Sequence, residues 1–316
     1  MKKILFTLLA IGVIIISCKK DHSKENTPKP PVGALQKVTF KAAFSISTGY
    51  VQVHSLSTNS LGTSSTPDTA LTNHIKELYY MVFDSAGNNL HNIQQLSTDT
   101  AFGHYVDNLH PGKYTIAIAG GTGFTVQGGK LTAPTGAVTP AYCYSNPFAE
   151  FFFGKTVITV NSSSLSQSVN LDRKTSKLVV NIKDALPTQP ASLGITLSGA
   201  GTKYYIGYDS IGAPLNAPNS AALSYSIPAS ARGTTNYQIA ATFFYDGPFT
   251  VDLSCTSTSS NFIIYGEKVI SGVAGGRNKI TTLTGNLFGG SGTSQTGGFQ
   301  ATLDTTWTTP VNVSFP

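Results

Sequence analysis

The stretch FDSAGNNLHNIQQLSTDTAFGHYVDNLHPGKYTIAIAGG, Phe83 to Gly121, places turn chemistry at regular intervals between segments of alternating apolar residues. Asp84-Ser85-Ala86-Gly87-Asn88 turns the chain, because Gly tolerates positive φ and Asp and Asn bond their own backbone. The segment before it, residues 75–83 (IKELYYMVF), is more apolar and suits a central strand, and residues 90–96 pair back onto it. Residues 102–109 form another strand. His110-Pro111-Gly112-Lys113 is a tight turn in which Pro sets φ and Gly relieves strain. Residues 114–119 alternate again. The stretch therefore predicts a pair of hairpins with no nucleophile motif, charge cluster or metal-ligand spacing.

The same pattern extends outward in both directions. Upstream, QKVTFKAAFSIS at 36–47 sets Val38, Phe40, Ala42 and Phe44 on one face, a half-buried strand. Residues 55–72 are rich in Ser and Thr and read as a loop. Downstream, strands are expected at 156–160, 165–171 and 178–182. After a break at 184–190 (DALPTQP), more follow at 193–198, 204–208, 223–227, 237–245, 249–254, 262–269 and 279–287. GGSGTSQTGG at 289–298 reads as a flexible linker, and the segment after it as one more strand. Helix signals are scarce, with one weak exception at 136–148. Regular strand spacing with Gly, Pro and Asn turns argues for an all-β chain of tandem β-sandwich domains.

Composition agrees. Charged residues are 11% of 316 and the formal charge is +6, of which Lys2 and Lys3 carry two. Arg occurs only at 173, 232 and 277, so there is no basic stripe to bind nucleic acid.

The chain opens MKKILFTLLAIGVIIISCKK. Lys2 and Lys3 precede an apolar run, residues 4–16, that falls short of the roughly 20 residues needed to span a bilayer and reads as the core of a secretory signal. It stops at Ser17-Cys18, which resembles the lipobox of bacterial lipoproteins. There the Cys is acylated and the signal, here residues 1–17, is cut just before it. A free Cys in an ordinary signal is the alternative, and the anchor is preferred. Acyl chains such as palmitate bury about 0.8 kcal/mol per CH₂, enough together to hold a protein on a membrane. Residues 18–35, polar and rich in Pro, have little to bury and are expected to be a disordered or extended tether. Lys19-Lys20-Asp21 partly matches the Lys-acid signals that send Bacteroidetes-type lipoproteins to the outer face of the outer membrane. A solvated spacer explains it equally well.

The chain contains no His-Glu-x-x-His, Cys-x-x-Cys, Gly-x-Ser-x-Gly or phosphate loop. Gly120-Gly121-Thr122-Gly123 follows a strand without a helix behind it and reads as a turn or bulge. His91, His104 and His110 lie near one another in sequence as possible metal ligands, but exposed or hydrogen-bonded histidines are the default. Asp84, Asp99 and Asp107 form a possible carboxylate group, but Asp is also the ordinary turn former. No catalytic set, metal site or cofactor is predicted. Trp307, the only Trp, is a weak ligand-binding candidate able to stack on a sugar, and a strand anchor otherwise. Tyr79-Tyr80 and Tyr204-Tyr205 each turn one ring outward if their segments are strands. Cys143 and Cys255 read as separate buried residues rather than a disulfide.

Four stretches carry a family resemblance: LYYMVFDSAGN (78–88), DNLHPGKYTIAIAGG (107–121), NLDRKTSKLVVNIKD (170–184) and VISGVAGGRNKITTLTGNL (269–287). Together they resemble the fimbrillin superfamily of lipoprotein-derived (type V) pili, in particular its anchor-type, minor subunits. The resemblance implies two transthyretin-like β-sandwich domains, here residues 36–171 and 172–316. It also implies a structural or adhesive role on the cell surface, with other pilin subunits as partners by strand pairing. Polymerising members are cut by an Arg-specific protease in the first domain, and this chain has no Arg before Arg173. That favours an anchor, cap or other accessory subunit, or a stand-alone surface lipoprotein, held on the outer membrane through Cys18. It also favours a last strand that closes its own domain over one donated to a neighbour. The alternative is a surface lipoprotein that binds glycans or other nutrients.

Overall fold

The computed structural model describes residues 33–44, 69–131, 141–145, 150–199, 203–211, 220–244, 247–260, 262–288 and 299–304. Cys18, nearly all of the 18–35 tether, the 289–298 linker, Trp307 and most of the 136–148 stretch lie outside the described residues. Within them the chain is all-β. Among the described residues the helices are α1 (Thr69–His74) and a short 3₁₀ turn, Ala229–Ala231.

The first half contributes β1 (Gln36–Phe44), β2 (Glu77–Phe83), β3 (Asn89–Leu96), β4 (His104–Leu109), β5 (Gly112–Gly121), β6 (Phe124–Gln127), β7 (Tyr142–Ser145), β8 (Phe151–Val160) and β9 (Leu165–Arg173). Seven of these form one sheet in the order β3-β2-β5-β8-β9-β1-β4. It folds over on itself between β8 and β9, which pair only at Phe152↔Arg173 and Phe153↔Asp172. Gly154 makes the fold possible, since a Cβ there would lie 2.0 Å from the Asn170 carbonyl oxygen. The folded sheet wraps a core in which Val38, Phe40, Ala42, Tyr105 and Val169 face Leu78, Tyr80, Val82, Ile116, Ile118 and Ile158. The predicted face of β1 is thus the buried one at 38, 40 and 42.

Two local expectations are corrected here. Residues 55–72 were expected to be loop throughout, yet Thr69–His74 is helical. Leu71 and Ile75, one turn apart, are both fully buried in this core, and that burial holds the turn. The second hairpin is not a hairpin either. β4 pairs with β1, whereas β5 pairs with β2 and β8. His110-Pro111 is a corner between layers, and the Tyr114 hydroxyl holds it by donating to the His110 carbonyl at 3.0 Å, a tyrosine corner in type. The first hairpin, β2–β3, forms as expected, with Gly87 at φ 77.

After Lys174 the chain enters other sheets: β10 (Thr175–Ile182), β11 (Ala191–Ser198), β12 (Lys203–Tyr205), β13 (Ser210–Ile211), β14 (Ser220–Ser226), β15 (Tyr237–Phe244), β16 (Phe249–Ser257), β17 (Ile264–Val273), β18 (Ile280–Gly285) and β19 (Phe299–Asp304). Two four-stranded sheets, β15-β10-β18-β19 and β14-β11-β16-β17, line one apolar core. Strict alternation of burial along β11, β14 and β16 supplies its inner face, with Leu193, Ile195, Leu223, Val251 and Leu253 opposite Leu178, Val180, Ile239 and Leu283.

A third core was not anticipated. β2, β5 and β8 are buried on both faces over part of their length. A small sheet, β13-β12-β7-β6, lies on their outer side and encloses Met81, Phe83, Ala117, Ala119, Phe151, Phe153, Tyr204 and Phe244. β12 pairs with β7 at Lys203↔Tyr144 to Tyr205↔Tyr142, so a segment from late in the chain covers strands from its first half.

Candidate functional site

The residues singled out for chemistry hold strands together instead. Asp84 Oδ1 accepts from the Ala86 and Asn88 amides, and Asp99 Oδ2 accepts from the Leu96 amide, so both are turn formers. His91 Nε2 lies 2.8 Å from Asp107 Oδ2, and His110 Nδ1 lies 2.8 Å from the Gly33 carbonyl oxygen. The three histidines are not brought together, and no group of three or more His, Cys, Asp or Glu suited to a metal ion occurs among the described residues. Gly120 and Gly121 end β5, and Gly123, at φ 66, turns the chain into β6. Cys143 and Cys255 are free thiols in different cores. Burial raises both, Cys255 to about 11, so neither is a ready nucleophile.

The expected outward tyrosines fail as a platform. Tyr80 and Tyr204 are fully buried, but Tyr205 is also buried at 6%, and Tyr79 packs edge-on against Phe124 at 5.2 Å. The small sheet supplies a layer on the side where an isolated two-layer sandwich would meet water. A signal existed in the sequence: Met81 to Phe83 and Ala117 to Ala119 are apolar at both parities, as strands covered on both faces are.

The largest polar assembly sits where β9 hands over to β10. The Arg173 guanidinium is almost wholly buried, donates to Glu150 Oε2 at 3.1 Å and Asn278 Oδ1 at 2.9 Å, and lies over the Phe152 ring. Burial lowers its pKa, against the pull of Glu150. Lys174 lies 3.5 Å from Asp209, which Arg277 also approaches at 3.4 Å. The Lys174 amide donates to the Phe151 carbonyl, the Asn278 amide to the Thr175 carbonyl, and Ser176 Oγ to the Gly276 carbonyl at 2.6 Å. Side chains from β8, β9 and the β17–β18 connection are thus tied at one point.

Strand edges are candidate contacts with other molecules. On the seven-stranded sheet the two edge strands are stitched together. Gln95 Nε2 donates to the His104 carbonyl and Gln95 Oε1 accepts from the Gly103 amide. β17 is different. Among the described residues it pairs only with β16, and it carries exposed Ile264 and Val269 behind Phe262 and Ile263. Among the described residues Phe262 is the most exposed large apolar side chain, at 71%. The Ser257 hydroxyl fixes the start of this strand by accepting from the Ile263 amide. An edge of this kind offers unpaired N–H and C=O groups with apolar side chains beside them, the arrangement that accepts an added strand. β19 pairs with β18 from Phe299↔Gly285 to Asp304↔Ile280, so the last strand closes its own sheet in this chain.

Fold and site together define an all-β protein whose polar side chains fasten its strands. Residues 44–265 match the family model described as Fimbrillin-A associated anchor proteins Mfa1 and Mfa2. The chain belongs to this family, and its role is that of a fimbrial accessory protein. Solved structures that align with the chain include the fimbrial anchor protein Mfa2 from Porphyromonas gingivalis, at 12% identity and a TM-score of 0.45 over 80% of this chain and 91% of that one. A fimbrial assembly protein from Parabacteroides distasonis aligns at 11% identity and a TM-score of 0.40, over 85% and 98% of the two chains. A candidate polysaccharide-binding protein from Bacteroides thetaiotaomicron aligns at 12% and 0.47, over 81% and 93%. No curated protein matches the sequence.

Proposed function

We propose that this protein is a non-enzymatic anchor subunit that holds a fimbria on the outer face of the outer membrane. It is fastened by acyl groups on Cys18 and stands off on the tether of residues 18–35. Two β-sandwich domains, divided near residue 172, form its body. Membership of the fimbrial anchor family carries this reading, and the apolar run ending at Ser17-Cys18 supplies the attachment. The pilin partner pairs with the free edge of β17, where Ile264 and Val269 give it apolar contacts.

The attachment is tested with Cys18→Ala in cells. The protein and its fimbriae are expected to leave the membrane fraction and appear in the medium, and continued extraction with membranes would refute the lipid anchor. The edge is tested with Val269→Lys, a charge on an exposed edge position. It is expected to leave the fold intact and to reduce recovery of pilin with the purified protein, and unchanged recovery would remove β17 from the contact.

A further inference from the structure

Every strand pairing among the described residues is antiparallel except two. β1 runs parallel to β9 in seven pairs, Val38↔Leu165 to Phe44↔Leu171. β10 runs parallel to β18 in six, Lys177↔Ile280 to Ile182↔Gly285. In the first pair the strand by which the chain enters the core is hydrogen-bonded to the one by which it leaves; in the second the entering strand is bonded to β18, which β19 follows in the same sheet. Parallel strands put entry and exit at opposite ends of the pair.

We infer a further function from this arrangement: the protein is a tension link in which both parallel pairs are loaded in shear. The inference rests on the anchor reading only for the direction of pull, outward from the tether. Tension applied ahead of Gln36 draws β1 toward its own N-terminal end. The reaction leaves β9 at Arg173, toward the opposite end. Between these points the separation along the strand axis is about 33 Å, against about 4.8 Å sideways. Pulled along the axis, the evenly spaced bonds of a parallel ladder stretch together. Pulled apart from one end, a ladder breaks its bonds one by one. β4 adds to the resistance, since it pairs with β1 from Gln36↔Leu109 to Lys41↔His104.

The junction passes the tension on without slack. Only Lys174 separates β9 from β10, and its amide is bound to the Phe151 carbonyl at 2.9 Å while Arg173 is held by Glu150 and Asn278. Tension then enters β10 at Thr175 and leaves β18 beyond Gly285, again in shear. The exit end is fixed by Asp184, whose two carboxylate oxygens accept from the Leu287 and Phe288 amides at 3.0 and 2.6 Å. β17 passes close to this point, since a Cβ on Gly266 would lie 2.7 Å from the Leu287 carbonyl oxygen.

Single-molecule pulling tests the inference in solution, without a membrane. The chain from residue 18 on, carrying Cys18→Ser, is held through Ala34→Cys and Asn286→Cys, both exposed positions. The comparison holds the same chain through Ala34→Cys and Asn108→Cys, which opens the β1–β4 pair from one end. Rupture between residues 34 and 286 is expected at about twice the force or more, because forced unfolding follows the rate of crossing the barrier along the pulled direction. Equal forces would overturn the inference. Should Asn286→Cys disturb the fold, Thr188→Cys replaces it and loads the β1–β9 pair alone, with the same expectation. Failure here leaves the Cys18 attachment standing, and loss of that attachment leaves the pulling result standing.

Discussion

His91 Nε2 lies 2.8 Å from Asp107 Oδ2 and joins β3 to β4, the two edge strands of the seven-stranded sheet. The Tyr80 hydroxyl reaches the same oxygen at 3.3 Å, and the Tyr80 ring stacks on Tyr105 at 4.8 Å. The side-chain contact stands in for a backbone ladder along the side where the sheet does not close. Asp107→Ala removes the acceptor of both groups and leaves the buried phenol without it. A loss of about 1–3 kcal/mol is expected for such an unsatisfied buried group, read from the urea midpoint at unchanged slope. An unmoved midpoint would show that the edges hold without it.

Arg173→Ala should loosen the junction. A buried ion pair that loses one partner costs about 3–5 kcal/mol, and the low end applies because Glu150 keeps 20% of its side chain in water. The expected signature is a split of one cooperative transition into two, with new protease cleavage near residue 174. A single transition shifted by less than about 1 kcal/mol would mean that the backbone bonds at Lys174 and Thr175 suffice.

Gly154→Ala tests the fold-over of the sheet. The added methyl would stand 2.0 Å from the Asn170 carbonyl oxygen, and that neighbour is backbone. Displacement of β9 costs at or above the usual 1–3 kcal/mol of overpacking. Thermal unfolding should show a clear loss of stability, and near-parental stability would mean that the two strands separate freely there.

His74 makes stability fall in mild acid. Its pKa is lowered from 6.5, first by burial, with Arg173 and Lys76 adding to the shift and Glu150, 3.9 Å away, opposing it. The unfolded chain therefore gains a proton near pH 6.5 that the native chain refuses, so stability is lost as pH falls from 6.5 to the lower native value. His74→Gln should flatten the urea midpoint across that window relative to the parent. An equal slope in both would assign the acid sensitivity elsewhere.

Much of this was legible in the sequence. Alternation in 36–47 marks a strand whose expected face is buried at Val38, Phe40 and Ala42, because a period of two leaves only one way to place the apolar side chains, and the strands expected at 193–198 and 223–227 fall on β11 and β14. Asp84 and Gly87 announced the β2–β3 hairpin through local chemistry, complete within five residues. The absence of a basic stripe, with Arg only at 173, 232 and 277, is read from composition alone. Each of these depends on neighbours along the chain or on composition.

Tertiary structure decided the rest. His110-Pro111-Gly112 is as good a hairpin turn as a corner in sequence; only the partners of β4 and β5, and the reach of Tyr114 back to His110, make it a corner. One ring of Tyr204-Tyr205 reads as outward until β12 is laid beside β7, where both are buried. Arg173 looks like a surface charge until Glu150 and Asn278 surround it from 23 and 105 residues away. The parallel course of β1 beside β9 cannot be read from either strand, because alternation fixes which face is buried but not the direction of the neighbour. That choice belongs to loop closure and core packing over more than a hundred residues, and it determines which way the protein resists a pull.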